Sequence, residues 1–193
     1  MKPKVLITGA SSGLGIHLAK KFEESGHPVL RHNGHKHHNL ARVQGVENLA
    51  FEAISEGVEV LVNNAAIVCP NITLNNYTIA QICDMIEVNL KAPILLTHYL
   101  LPHLKGIINI NSMVGLEVKQ PRTLYSATKW GLRGFSNSLK KENPSLSIMD
   151  VYPTNIKTTP DRENAMDIDM VVNKIYKAYS LNESELILDG RLQ

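Results

Sequence analysis

The chain has 193 residues, 44% of them hydrophobic, which suits one domain with a sizeable core and is short for two. Its formal net charge of +2 supplies no global field for nucleic acid or a membrane surface. Cys69 and Cys83 are too few for a disulfide framework, the opening apolar run is too short for a signal peptide, and no stretch approaches the roughly 20 apolar residues of a membrane span; the expectation is a reduced, cytoplasmic protein.

Short apolar runs alternate with longer helical patterns. Val5–Thr8 reads as a buried strand. After a glycine turn, LGIHLAKKFEESG puts Ile16, Leu18, Ala19 and Phe22 on or near one helical face, and Gly26 supplies a stop. Val29–Leu30 reads as the second strand. Roughly 25 residues then separate His32 from Val58, too few for a full helix–strand–helix unit. The expectation there is a turn around HKHHNL, a short strand near ARVQG and a helix over VENLAFEAIS.

Val58–Asn63 is the next strand, followed by a long helical pattern over residues 78–104 that should bend around Pro93. A strand at Ile107–Ile110 leads to a helix over residues 123–142. A strand at Leu146–Val151, a helix over 166–181 and a strand at Glu185–Leu188 complete the pattern. This alternation predicts an α/β fold: a doubly wound parallel sheet of six to seven strands, with right-handed crossovers and helices on both faces. No repeat, linker or low-complexity tract divides residues 1–193 into two domains.

The turn Thr8-Gly9-Ala10-Ser11-Ser12-Gly13-Leu14-Gly15 lies between strand and helix. Gly9 permits a sharp turn, Gly13 a close approach by a pyrophosphate, and Gly15 tight packing of helix on sheet. The helix N-terminus offers N–H groups and a positive dipole end, and Ser11 and Ser12 add hydroxyl donors. A glycine turn serving packing alone is the other reading of this stretch.

Further segments follow in order: Asn63-Asn64-Ala65-Ala66 closing a strand, Asn89 in the long helix, Ser112 after the strand Ile107–Ile110, and Tyr125-x-x-x-Lys129 in the next helix. Together with TGxxxGxG they resemble the short-chain dehydrogenase/reductase family in its single-domain Rossmann form, over nearly the whole chain. A Tyr and a Lys four apart share one helical face. A nearby ammonium favours the phenolate, so Tyr125 can exchange a proton with a substrate oxygen near neutral pH. The resemblance implies that Ser112 donates to that oxygen and that Lys129 holds the nicotinamide ribose. It also implies that Asn89 distorts its helix and holds a water toward Lys129. The residues expected around a dinucleotide are Gly9, Ser11, Ser12, Gly13, Leu14, Gly15, Arg31, His32, Asn33, Asn64, Ala65, Ala66, Tyr125, Lys129, Pro153, Ile156 and Thr158.

No Asp or Glu lies between Glu24 and Glu47, and the segment after the second strand carries Arg31, His32, His35, Lys36, His37 and His38. Cations there suit a ribose phosphate, so NADP(H) is favoured over NAD(H), although Asn33 could serve a ribose hydroxyl in NAD. The histidines also fit zinc or nickel chemistry. Lacking helical i,i+4 pairing or a cysteine partner, they are read as a solvated or cofactor-facing loop, and no metal is assigned.

In VYPTNIKTTP, Thr154 replaces the family's usual glycine, which puts the local backbone in question, as Ala66 does more mildly. Few residues separate Thr158 from the last helix, so the substrate end should be open or completed by another subunit. Its expected lining, Met113, Val114, Leu116, Val118, Tyr152 and Pro153, is mostly apolar and suits a small carbonyl or alcohol without selecting one. Leu95, Leu96, Leu100 and Trp130 could form a homodimer or homotetramer face, or cover the sheet instead. The leading reading is an NADP(H)-dependent oxidoreductase; the alternative is a nicotinamide-binding sensor or scaffold without turnover.

Overall fold

In the computed structural model, which describes residues 1–68, 72–158 and 164–192, six parallel strands form one sheet in the order β2-β1-β3-β4-β5-β6. They are β1 (Lys4–Ile7), β2 (Val29–Arg31), β3 (Val58–Asn63), β4 (Gly106–Ile110), β5 (Ser147–Pro153) and β6 (Glu185–Leu188). The central strands are mostly apolar because helices cover both faces. The period-two alternation sorts their side chains. Val5 and Ile7 meet Leu14, Leu18 and Phe22 of α1 (Gly13–Glu24) and Val171 and Ile175 of α6 (Ile168–Ser180). Leu6, one residue out of phase, meets Leu49 and Ala50 of α2 (Val43–Ser55) and Leu96 of α4 (Ala92–Leu100). Ile107 and Ile148 pack beneath Leu139 of α5 (Thr123–Glu142) on that second face.

The chain runs from β1 outward to β2 and then crosses back to β3 on the other side of β1. The strand order therefore reverses between β1 and β3, whose carboxyl ends open a crevice where such sheets bind ligands.

Two expectations need correcting. The strand near ARVQG does not form, because α2 begins within that segment at Val43. Asn39 explains the early start: its Oδ1 accepts from the Ala41 amide at 2.9 Å and its carbonyl from the Arg42 amide at 3.0 Å. That turn feeds the chain directly into the helix. Gly45 admits the approach, since a Cβ there would lie 2.2 Å from the Asn39 carbonyl oxygen. The bend in the long helical pattern also falls elsewhere. α3 (Ile79–Ile86) passes into a π-helical turn at Glu87–Lys91, centred on Asn89, before α4 begins. Pro93 sits in the first turn of α4, where a missing N–H costs little.

Of the apolar residues considered for an oligomer face, Leu96 and Leu100 are buried against the sheet. Leu95 is partly buried there, and Trp130 alone is exposed.

A polar seam crosses this apolar interior. Asn63 Nδ2 donates to Asn109 Oδ1 at 2.9 Å, and Asn109 Nδ2 reaches Ser136 Oγ and Asp150 Oδ1, each at 3.3 Å. The fully buried Asp150 also accepts from Ser136 Oγ at 2.6 Å and Lys140 Nζ at 2.7 Å. Three neighbouring strands are thereby tied to α5. Removing the carboxylate strands several donors, so Asp150→Ala should cost about 2–3 kcal/mol in urea unfolding, and Asp150→Asn clearly less. Equal losses in the two variants would deny the seam its role.

Candidate active site

The carboxyl ends of β1, β3, β4 and β5 open onto a cavity of about 1300 Å³. Its first wall is the glycine turn. Gly9 and Gly13 have φ of 66° and 52°, values that side chains disfavour. A Cβ on Gly15 would lie 2.1 Å from the Gly9 carbonyl oxygen and 2.6 Å from Asn64 Nδ2, so α1 can start there only with glycine. Thr8 ties this turn to the end of β3. Its Oγ1 accepts from the Asn64 and Ala65 amides, each at 3.0 Å, and Asn64 Nδ2 donates back to the Thr8 carbonyl at 2.8 Å. Ser12 caps α1 without a side-chain bond, and no acidic residue occupies its first turn. The amides there suit an anion.

The second wall carries the candidate reactive groups. Tyr125 and Lys129 lie on α5 and Ser112 just beyond β4, and all three line the cavity. Lys129 Nζ sits 5.6 Å from the centre of the Tyr125 ring and donates to the Ile110 carbonyl at 2.9 Å. Lys129 is only 2% exposed, and burial pushes its pKa down to about 8. The Arg122 guanidinium lies 6.0 Å from the same ring. Ser112 Oγ accepts from the Val114 amide at 3.4 Å.

Asn89 stands behind this wall and does not line the cavity. Its Oδ1 accepts from the Ile67 amide at 2.7 Å and its Nδ2 donates to the Ile67 carbonyl at 2.9 Å. A 3.5 Å contact from Nδ2 to Thr128 Oγ1 extends toward α5. Its side chain thus pins the segment after β3, and its π-helical turn supplies the expected distortion.

Gly9, Ser11, Ser12, Gly13, Leu14, His32, Asn64, Ala65, Ala66, Pro153, Ile156 and Thr158 line the same cavity. Gly15 supports the turn from behind. Asn33 is off the wall, and so is Arg31, whose Nε and Nη2 donate to Glu23 at 2.8 and 2.5 Å. A strand-end arginine seven residues from the nearest acid in sequence looks free, but the return of α1 brings Glu23 alongside it. Arg42, which the sequence reading passed over, lines the cavity instead. His32 is buried. Its Nδ1 accepts from the Gly9 amide at 3.2 Å and its Nε2 contacts the His38 carbonyl at 2.7 Å, so Nε2 carries the proton. Burial holds its pKa below the ordinary histidine value and keeps the ring neutral.

At the substrate end Met113, Val114 and Pro153 line the cavity as expected; Leu116, Val118 and Tyr152 do not. Val118 points to solvent, 90% exposed, and Tyr152 is wholly buried in β5. The lining is also more polar than expected, with Asp84, Glu117, Lys119, Arg122 and Arg191 on it. Glu117 and Arg191 pair at 2.8 Å. Arg122 Nε is buried and has no hydrogen-bond partner among the described residues. Thr154 causes no strain: its φ is not positive, and its Oγ1 accepts from the Gly190 amide at 2.9 Å. Cys69 and most of the segment between Thr158 and α6 lie outside the described residues. Among the described residues no helix is long and apolar enough to cross a membrane.

Asn111 and Thr128 were also missed. Asn111 Oδ1 accepts from the Ser112 amide at 2.9 Å and its Nδ2 donates to the Lys129 carbonyl at 3.2 Å, joining β4 to α5 between the two reactive residues. Its adjacency to Ser112 was the only signal.

Comparison with known proteins shows the family. The family model described as short chain dehydrogenase matches residues 35–168. The 3-oxoacyl-(acyl-carrier-protein) reductase of Aquifex aeolicus is 31% identical over 165 residues, 71% of this chain, which spans 66% of that enzyme's length. The NADP-dependent 3-hydroxy acid dehydrogenase of Salmonella typhi is 30% identical over 178 residues, 77% of this chain and 71% of its own. Among solved structures, a short-chain dehydrogenase from Sphingobium yanoikuyae in complex with NADPH superposes with a TM-score of 0.84 at 22% identity, covering 96% of this chain and 87% of its own. The chain belongs to the short-chain dehydrogenase/reductase family.

Proposed function

We propose that this protein is an oxidoreductase that interconverts a small carbonyl compound and its alcohol with NADP(H). The observation that carries this reading is the convergence of Ser112, Tyr125 and Lys129 on one cavity whose other end is a glycine turn at a helix N-terminus. The bare backbone at Gly9 and Gly13 and the uncapped first turn of α1 fit a pyrophosphate. Pro153, Ile156 and Thr158 would border the nicotinamide, and Lys129 and Tyr125 its ribose. When bound, the nicotinamide supplies or accepts the hydride.

The residues of the chain manage the proton and the oxygen. In reduction Tyr125 gives its phenolic proton to the substrate oxygen; in oxidation it takes one from the alcohol. Ser112 donates to the same oxygen as charge develops on it. The ammonium of Lys129 favours loss of the tyrosine proton, and Arg122 adds a second positive charge beside the ring. Only one of the three lysine N–H groups is used by Ile110, which leaves donors for a ribose. Asn89 and Thr128 position these groups from behind the wall, and Asn111 from the wall itself.

The stretch of wall from His32 to Arg42 includes Gly34, Asn39, Leu40 and Ala41 and carries no carboxylate. A carboxylate would repel a ribose phosphate, whereas Arg42 attracts one, assisted by Ser11 and the N-terminal end of α2. The NADP dependence of the Salmonella relative and the NADPH bound in the Sphingobium structure support the same reading.

Three outcomes follow. With a panel of aldehydes and ketones, Tyr125→Phe should lower turnover by roughly 10²–10⁴ while NADPH binding persists; surviving turnover would sink the tyrosine role. NADPH should bind more tightly than NADH, and Arg42→Ala should erode that difference by weakening NADPH alone. Equal or better NADH binding in the wild type would overturn the cofactor assignment.

The third concerns Lys129. Its pKa is about 8 in the folded protein against 10.5 as its reference value, so between those values the unfolded chain holds the proton more firmly. Stability must therefore rise with pH across that window and be flat in this respect below it. Relative to Lys129→Met, the wild type without cofactor should gain up to about 3 kcal/mol between pH 8 and pH 10.5 in denaturant unfolding. A pH-independent difference would show that the ammonium is not desolvated.

A further inference from the structure

We propose that His37, His38 and Glu52 form a site for one divalent transition-metal ion of the zinc or nickel type. The two histidines follow the short 3₁₀ turn Gly34–Lys36, and Glu52 comes from α2. His37 Nε2 and His38 Nε2 lie 3.2 and 3.0 Å from the same carboxylate oxygen, Glu52 Oε2. The imidazole rings stack with their centres 4.3 Å apart, and both Nε2 atoms reach the same Glu52 oxygen. The three ligand atoms all fall within 4.8 Å of one another. Ligand atoms at about 2.0–2.1 Å around a tetrahedral ion stand about 3.3 Å from each other, close to the two nitrogen–oxygen separations found here. The set therefore needs only small movements to accept an ion. Two imidazoles and one carboxylate suit zinc, nickel or cobalt, and suit magnesium poorly. Three protein ligands leave a fourth position for water.

Sequence spacing pointed away from such a site because adjacent histidines lack a partner on their own segment. The fold brings in Glu52, fourteen residues beyond His38, from a different element.

The location gives the ion a consequence. The His38 carbonyl accepts from His32 Nε2 at 2.7 Å, and His32 Nδ1 accepts from the Gly9 amide at 3.2 Å. An ion held by His37, His38 and Glu52 clamps the segment after β2 to α2, and through His32 it steadies the first glycine of the turn. Leu40, Ala41 and Arg42 on the same stretch line the cavity. The proposal stands on its own geometry and does not depend on which cofactor the cavity takes.

The test is titration of the metal-free chain with zinc chloride and, separately, nickel chloride in a non-chelating buffer near neutral pH, followed by calorimetry. One equivalent should bind per chain. His38→Gln and Glu52→Gln should each weaken binding at least about tenfold. His37→Gln, which leaves the His38–Glu52 contact in place, should do the same and guards against misfolding of the other variants. His17→Gln, which removes an exposed histidine paired singly with Asp169 at 3.2 Å, should change nothing. Zinc should also slow amide hydrogen exchange over residues 34–42 in the wild type and not in His37→Gln. Absence of saturable binding, equal affinity across the wild type and the three site variants, or binding without slowed exchange would each overturn the proposal.

Discussion

A nearly inaccessible ammonium at the end of a sheet is the constraint on which this site is built. Lys129 loses its water on folding and has one carbonyl, that of Ile110, in exchange. Such a group is tolerated only where its surroundings are rigid. The surroundings are tied accordingly. Asn111 bonds the backbone of Lys129 and of Ser112, and Asn89 holds the segment after β3 while touching Thr128. Gly115 lets the turn after β4 approach closely, since a Cβ there would lie 2.7 Å from Asn111 Oδ1 and 3.2 Å from the Lys129 carbonyl. These contacts set the lysine and tyrosine beside the end of β4, and Ser112 follows because it continues that strand.

The same need for rigidity explains the polar seam farther along α5. Asp150, Ser136, Lys140, Asn109 and Asn63 would be a poor choice if apolar packing alone decided stability. A chain of hydrogen-bonded polar groups, however, permits one register between β3, β4, β5 and α5, whereas apolar side chains slide with little cost. Register matters here because a shift of one residue along β4 would turn Ser112 to the opposite face of the sheet.

Much of the fold was legible because its signals are local. Buried strands such as Val58–Asn63 and the helix Thr123–Glu142 announce themselves by apolar period and by glycine or proline at their borders. That Ser112, Tyr125 and Lys129 share one cavity was legible for a related reason: Tyr125 and Lys129 are four apart on one helix, and Ser112 follows a strand. What escaped depended on contacts between distant segments. Residues 41–45 look extended by composition, yet the Asn39 turn starts a helix within them. Tyr152 looked like pocket lining because it neighbours Pro153, but alternation along β5 turns it inward. The π-helical turn at Asn89 was expected from the family resemblance and from no local pattern, and proline nearby drew the expected bend to the wrong place.

Arg31 and Arg42 show that a charge inventory does not say which cation faces the cavity. Both stand in the acid-free stretch that separates Glu24 from Glu47, and by composition either could meet a phosphate. The distinction lies in what each strand or helix end faces. Arg31 ends β2 at the edge of the sheet, where the last turns of α1 bring Glu23 into a two-pronged ion pair. Such a planar pair is hard to displace for an arginine because both donors are matched. Arg42 caps α2 from the cavity side, and the dipole of that helix adds to its positive charge. The local field that an incoming anion meets is therefore set by the premature start of α2, the feature that also removed the expected strand. Shortening the connection between β2 and β3 brought a helix N-terminus to the cavity wall.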